Sequence, residues 1–590
     1  METGSIIYEN GDCEFILYSP LAKQAILKLY TPHYIEYKMI KNDDGYFKIT
    51  IGDIKPGVTY KFHTDLTGDI TDPVSKALDG GVHGRSVVVD YKSLLKNPRI
   101  DSHVSLNEYI IYELHTGIFS NNGDFEGIKQ KIPYLKELGI TAVEIMPVAQ
   151  YPGERNWGYD GVYPFAVHSI YGGVFKLREL IDALHSSGIA VILDVVYNHL
   201  GPEGNYLWAH NVYFTDKYKT PWGGAINFDD EYSDGVRNYC IENALFWYTY
   251  LDIDCLRLDA VHSIIDSSPS HIVRDISLAA QQLSIDSGKQ FYLIAESDLN
   301  DPHVLQDCGM NCNAQWCDDF HHSLHTLLTN EQYGFYKDFG SLRDLSDAYS
   351  NGYVYDGKYS KNRKKIFGSG SAELNSKNFI VFLQNHDMTG NRAIGDRIST
   401  LTDHQSLKLA ASAVLLSPFI PLIFNGEEYG ETNPFFYFVD HSDKSLIEMV
   451  REGRKKEFSE FMALYEIPDP DAKIIFQKSK LSFDVQSEKN KEILALYKQL
   501  IAIRKKIGLT TRLPLDKISS FTHNNNILSI RYEINTIFYY LILNFSSIDE
   551  NYIKPFTADF TTLFTTSLFE LSHNNVNLLS ARSATLIQLH

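Results

Sequence analysis

The chain has 590 residues, 44% of them hydrophobic and 22% charged, enough to bury an extensive core without disulfides or metals. Its 74 acidic against 54 basic side chains leave a formal net charge of -20, which argues against a nucleic-acid or anionic-membrane partner and suits a neutral, sugar-like substrate. No run of about 18 apolar residues occurs, and Met1 to Ser5 lack the basic and apolar regions of a secretory signal, so a cytoplasmic protein is expected.

Residues 1–95 read as short strands ended by turns, among them Cys13 to Tyr18, Ala25 to Tyr30 and Tyr46 to Ile51, and predict an N-terminal β-sandwich. Leu95 to Asn107, with Pro98 in it, reads as a linker. From Tyr109 strands and helices alternate. Tyr109 to His115 is a strand, and Phe125, Ile128, Ile132, Leu135 and Leu138 then recur three or four apart, as on one face of one helix closed by Gly139. Ala142 to Val148 is the next strand, followed by a helix from Val174 to Ser187 and a strand from Ala190 to Val196. Further strands fall at Ile253 to Asp259, Phe291 to Glu296, Ala314 to Trp316, Phe379 to Gln384 and Ile420 to Phe424. Eight apolar strands, most separated by helices, predict an α/β fold: a (β/α)8 TIM barrel with insertions over 96–510. After a helix from Lys491 to Lys506, the strands Ile527 to Tyr532, Thr536 to Leu543 and Ala584 to Leu589 predict a small C-terminal antiparallel β domain over 511–590.

Barrels of this kind carry their reactive groups at the C-terminal ends of the strands, and there the polar residues collect. Asp194, Asn198 and His199 follow the third strand, Arg257, Asp259 and His262 the fourth, Glu296 and Asp298 the fifth, and His386 and Asp387 the seventh. So many carboxylates around one mouth are costly unless they act. The chain has no phosphate loop, H-E-x-x-H or dinucleotide fingerprint, so no cofactor is expected. A pair of carboxyl groups flanking a glycosidic bond, by contrast, is the standard equipment of glycoside cleavage. Arg257 and Asp259 share one face of a strand, where the guanidinium would keep Asp259 ionised as a nucleophile. Glu296 is then the acid/base, and Asp387 braces sugar hydroxyls and the charge building on the ring carbon. His321, His322 and His325 have a spacing that metals use, but Asp318 and Asp319 beside them suit hydroxyl binding equally, and no metal is assigned. A calcium ion near Asn198 stays open, although no EF-hand loop is present. Trp157 and Trp222 are either packing residues or a sugar platform.

The segments Asp194 to His199, Arg257 to His262, Ala295 to Ser297 and Gln384 to Asp387 resemble, in order and position, the four conserved regions of the α-amylase superfamily. The resemblance implies Asp259 as nucleophile, Glu296 as proton donor, Asp387 as transition-state stabiliser, and retention of configuration. It places His199, Arg257, His386 and the stacking Tyr159 around the attacked sugar. Asp72 to Gly84, Gly201 to Leu207, Gln315 to His322 and Glu427 to Gly430 followed by Pro434 to Phe438 further resemble the maltooligosyltrehalose trehalohydrolase family. That resemblance spans the N-terminal domain and nearly all the barrel, and weakens after about residue 510. It implies cleavage of the α-1,4 bond next to the terminal trehalose unit of maltooligosyltrehalose, a substrate supplied by maltooligosyltrehalose synthase. Substrate contacts are then expected from Asp194, His262, Asp298, Asp319, His321, His322, His325 and Asn391, with Asp319 selecting for trehalose. Two residues depart from the family pattern: Met388 stands where Gln is usual, and Asn425 where Met is usual. A branching or debranching enzyme of the same superfamily and a non-catalytic glucan-binding protein are the competing classes; the three acidic residues speak against the latter.

Overall fold

The computed structural model describes residues 2–96, 99–459, 466–569, 571–572 and 576–590. Eight parallel strands close into a barrel: β1 (Ile111–Leu114), β2 (Ala142–Ile145), β3 (Ala190–Val195), β4 (Cys255–Leu258), β5 (Tyr292–Ala295), β6 (Ala314–Trp316), β7 (Phe379–Phe382) and β8 (Ile420–Phe424), with β8 pairing back on β1. The strands are almost wholly buried because both of their faces are covered. One side packs on the surrounding helices and the other fills the barrel. Ile111, Ala142, Ala190, Ile192, Cys255, Ile294, Ala314, Trp316, Ile380, Phe382, Ile420 and Leu422 form that inner core. Alternation with period two carries the inner side of several strands up to a polar residue: Ile111 to Glu113, Ile192 to Asp194, Cys255 to Arg257 and Asp259, Ile294 to Glu296. A filled, apolar barrel thus ends in a charged mouth.

Ahead of the barrel lie two antiparallel sheets. One is ordered Gly4–Ile7, Cys13–Tyr18, Tyr46–Ile51, Ile40–Lys41; the other Ile35–Lys38, Ala25–Leu29, Thr59–Thr64, Arg85–Val87, Leu78–Asp79, with Gly68–Ile70 beside Thr59–Thr64. Phe15, Leu17, Leu27, Phe47, Tyr60 and Phe62 are buried between them. Asn97 and Pro98 of the expected linker lie outside the described residues; around them Tyr91–Lys96 and Leu106–Glu108 are short 3₁₀ helices. After the helix Glu488–Lys506 comes a five-stranded antiparallel sheet, Ile518–His523, Ile527–Ile534, Ile537–Asn544, Ser583–Leu589 and Phe560–Thr565, with a separate pair Glu550–Ile553 and Val576–Leu579. Its Tyr532 donates to the Leu416 carbonyl at 3.2 Å, tying the sheet to the barrel helices.

Two elements differ from the sequence reading. The single helix expected over Phe125 to Leu138 is two, Phe125–Gln130 and Ile132–Leu138. Pro133 lacks the amide hydrogen needed in a helix interior and is accommodated only in the first turn of a new helix. Between β3 and the following helix, the hairpin Phe214–Thr220/Gly223–Ile226 went unread because its polar strand carries no apolar alternation. Among the described residues no helix is long and apolar enough to cross a membrane.

Candidate active site

Arg257, fully buried on β4, holds the centre together. Its Nη1 donates to both Asp194 oxygens at 2.9 and 2.7 Å and to Asp259 Oδ1 at 2.9 Å, while Nη2 donates to Glu296 Oε2 at 2.8 Å. From below, the Trp316 ring faces the guanidinium at 4.3 Å. One cation therefore fixes three carboxylates contributed by three neighbouring strands. Asp259 Oδ2 takes a second hydrogen bond, 2.8 Å, from Asn198 Nδ2. Ala260 then turns sharply, at φ 40° and ψ 55°, a left-handed conformation that costs a non-glycine residue about 1–3 kcal/mol. The turn points its N–H at Glu296 Oε2, 2.8 Å away. Burial raises the Glu296 carboxyl; the Arg257 charge opposes this and Asp259 reinforces it, leaving the group above its ordinary value. That is the state a proton donor needs. Asp194 behaves similarly, pushed up to about 7 by burial against the pull of Arg257.

A second chain of bonds supports the opposite side. Glu113 of β1 accepts from the His386 backbone N–H at 3.0 Å and from its Nδ1 at 2.5 Å. Burial alone would lower the imidazole, but Asp387 and Glu113 outweigh it and push His386 up to about 10. Its Nε2 reaches the Tyr159 hydroxyl at 2.8 Å, and that hydroxyl donates to Asp194 Oδ2 at 2.6 Å. Asp387 projects beside them, 3.5 Å from His386 Nε2, and accepts from Asn391 Nδ2 at 3.0 Å. Tyr159 reaches this network because Gly158 turns at φ 110° against Pro147; a Cβ there would come 2.2 Å from the Pro147 carbonyl oxygen. His199 Nε2 bonds the Tyr159 carbonyl at 2.9 Å, and its ring lies parallel to the exposed Trp222 at 4.2 Å.

Asp194, His199, Tyr159, Arg257, Asp259, Glu296, His386, Asp387 and Asn391 thus converge on one mouth. His262 and Asp298 lie along its rim, 3.8 Å apart, with Asp298 paired to Arg363 at 2.9 Å. Three expected substrate contacts make hydrogen bonds within the protein. Asp319 Oδ2 accepts from Asn300 Nδ2, Val354 N and Tyr355 N at 2.7 to 3.0 Å, so it anchors a loop. His321 is spent on the Leu383 carbonyl and the Tyr336 hydroxyl, at 2.8 and 3.0 Å, and His325 on Glu331 at 2.6 Å. The residue triplet repeats on a helix, so adjacent members point in different directions and find separate partners. Among the described residues the buried Nε2 of His322 has no hydrogen-bond partner. Trp157 is a packing residue, stacked on Phe435 with its N–H on the Phe436 carbonyl. Replacing Asp319 with Ala should accordingly cost about 1–3 kcal/mol of stability, because three buried donors lose their acceptor. It should slow cleavage of trehalose-ended and plain substrates alike; a thermal melt and rates on both check it, and a selective loss on one substrate would restore its sugar-binding role.

Glu113 is not read as a site residue from the sequence, and Asn198 only as a strand-end residue near which calcium stays open, not as the partner of Asp259. A lone acid within the apolar stretch Tyr109 to Leu114 was the available signal for the first.

The alpha-amylase catalytic-domain family matches residues 98–222 and 229–512. The chain is 46% identical, over 86% of its length and 88% of the other, to the malto-oligosyltrehalose trehalohydrolase of Saccharolobus solfataricus. It is 38% identical, over 80% of each, to the same-named protein of Rhizobium sp. (strain M-11). A 1,4-alpha-glucan branching enzyme of Bacillus cereus aligns at 32% identity over 48% of this chain. Among solved structures, an alpha-amylase-like protein from Salmonella typhimurium matches over the whole of both chains with a TM-score of 0.91 and 34% identity. A pullulanase from Anoxybacillus sp. LM18-11, at 17% identity and a TM-score of 0.74, shares the fold. The chain belongs to the α-amylase family of glycoside hydrolases and, within it, to the malto-oligosyltrehalose trehalohydrolases.

Proposed function

We propose that the protein releases trehalose from maltooligosyltrehalose by cutting the α-1,4 bond beside the terminal α,α-1,1-linked unit, with retention of configuration. The observation that carries the reading is the single guanidinium of Arg257 bonded to Asp259 and Glu296 at once. Asp259 is the nucleophile: it attacks the anomeric carbon as Glu296 gives its proton to the departing glycosidic oxygen, and trehalose leaves. Water, deprotonated by Glu296, then displaces Asp259 and frees the maltooligosaccharide. Asp387 braces the hydroxyls of the attacked ring, and Tyr159, His199, Arg257 and His386 shape its subsite. Its substrate would come from a maltooligosyltrehalose synthase. No cofactor takes part in this scheme. A cytoplasmic setting suits the six free cysteines, five of them buried.

A cavity of about 320 Å³ beside Asp387, lined by Tyr333, Phe335, Tyr336, Met388, Asn391 and Arg392, supports the reading by offering room for further sugar rings. The test is to incubate the protein with maltooligosyltrehalose and with plain maltooligosaccharide of equal length. Free trehalose should appear promptly from the first. New branch points without released trehalose would overturn the reading in favour of a branching enzyme.

A further inference from the structure

Glu113 on β1 and Glu144 on β2 stand opposite each other in register, and each continues the inward-facing side of its strand, from Ile111 and from Ala142. Both are buried, and neighbouring strands lie only about 4.8 Å apart. Two carboxyl groups so placed are not both ionised. Their partners decide which one carries the charge. Among the described residues neither Glu144 oxygen has a hydrogen-bond partner, and burial first, then Glu113, push its carboxyl well above the ordinary range. Glu113 has both oxygens on one residue: Oε2 accepts from the His386 backbone N–H at 3.0 Å, and Oε1 faces His386 Nδ1 at 2.5 Å. The negative charge of the pair therefore sits on Glu113.

Hydrogen-bond direction then fixes the state of His386. Arg257 donates to both oxygens of the Asp194 carboxylate, which also accepts the one hydroxyl proton of Tyr159 at 2.6 Å. The Tyr159 oxygen is left to accept from His386 Nε2, 2.8 Å away. With Glu113 on Nδ1, both ring nitrogens are donors, which makes the ring an imidazolium. Its Nε2 lies 3.5 Å from Asp387 Oδ1. Burial raises the Asp387 carboxyl, and the His386 charge is the largest influence opposing that rise. A neutral ring has one proton to place. With that proton on Glu113, Nε2 becomes an acceptor and draws the Tyr159 hydroxyl away from Asp194.

We propose that Glu113 is a positioning residue for the cleavage reaction: it holds His386 as an imidazolium and, through it, keeps the Tyr159 hydroxyl on Asp194 and the negative charge on Asp387. The proposal rests on the glycoside-cleaving site given above. The groups that face His386 are Glu113 and His115 from the first strand, Glu144 from the second, Tyr159 beyond it, Asp194, Arg257 and Glu296 from the next three, and Asp387 beside it. Burial and Arg257 oppose the cation, and Asp387 and Glu113 sustain it. Removing the Glu113 charge takes away one of the two sustaining groups, so the ring loses its proton at lower pH.

The experiment is the pH dependence of fluoride release from a maltosyl fluoride by wild type and by Glu113→Gln. Expulsion of fluoride needs no acid, so loss of the Glu296 proton does not set the basic limb. The wild-type limb should lie near pH 10, where His386 deprotonates. In Glu113→Gln it should come down by about one to three pH units, with the rate recovering as pH falls. A merely structural support would lower the rate alike at every pH. Should the variant fail to fold or the fluoride not be consumed, nitrogen-15 NMR of histidine-labelled wild type decides. The ring whose signals vanish in His386→Gln should keep imidazolium shifts from about pH 6 to about pH 9. A basic limb that stays in place in a folded variant, or a His386 ring that titrates at its ordinary value, overturns the assignment. Failure of the wild type to release trehalose would instead overturn the substrate reading alone, because the fluoride carries no trehalose unit.

Discussion

Asp259→Asn should fold normally and yet turn over substrate slower by several orders of magnitude. The wild-type carboxylate accepts from Arg257 Nη1 on one oxygen and from Asn198 Nδ2 on the other. An amide of the same shape keeps one of those acceptors and turns an N–H₂ toward the other donor, at a cost of about 1–3 kcal/mol that a domain of this size tolerates. What cannot be replaced is the charge that forms the glycosyl ester. No neighbouring carboxylate substitutes, because Asp194 is committed to Arg257 and Tyr159, and Glu296 lies on the other guanidinium nitrogen. Initial rates of trehalose release, with circular dichroism to confirm folding, decide the matter. Near-normal turnover in a folded variant would remove Asp259 from the role of nucleophile.

Glu296→Gln should separate the two halves of the reaction. Glutamine keeps an acceptor for the Ala260 N–H and Arg257 Nη2 but has no proton to give. Cleavage of the natural bond should fall by about 10²–10⁴-fold, the usual contribution of general acid catalysis. A maltosyl fluoride needs no protonation, so its first turnover should stay close to the wild-type rate. Deglycosylation, deprived of its base, should then stall, and the ester on Asp259 should accumulate to a level visible by mass spectrometry. Azide, a nucleophile that needs no base, should restore turnover. If the fluoride is consumed as slowly as the natural substrate in its first turnover, Glu296 is not the proton donor.

Much of this centre was legible because strand periodicity is local. The pair Arg257 and Asp259 share a face by spacing alone, and the apolar strands with polar ends announce a barrel and its working rim. Glu113 and Asp318 show where such reading stops. Glu113 is one acid in an apolar strand, and only closure of β8 and β7 around β1 brings it to His386, 273 residues away. Asp318 and Asp319 are adjacent and chemically identical, and the sequence reading preferred Asp319. A helix turns successive side chains by about 100°, so Asp319 meets the loop amides of Val354 and Tyr355 while Asp318 points elsewhere.

By itself the sequence determined the class of fold, the residues available for glycoside cleavage and the family. These follow from hydrophobic period, residue type and motif order, all written along one dimension. Only the tertiary structure decided which polar groups share partners: that one guanidinium binds Asp194, Asp259 and Glu296, and that His321 and His325 bond to groups of the protein. Hydrogen bonds reach about 3 Å and act between strands and loops far apart in the chain, so their assignment depends on distances that no local pattern encodes.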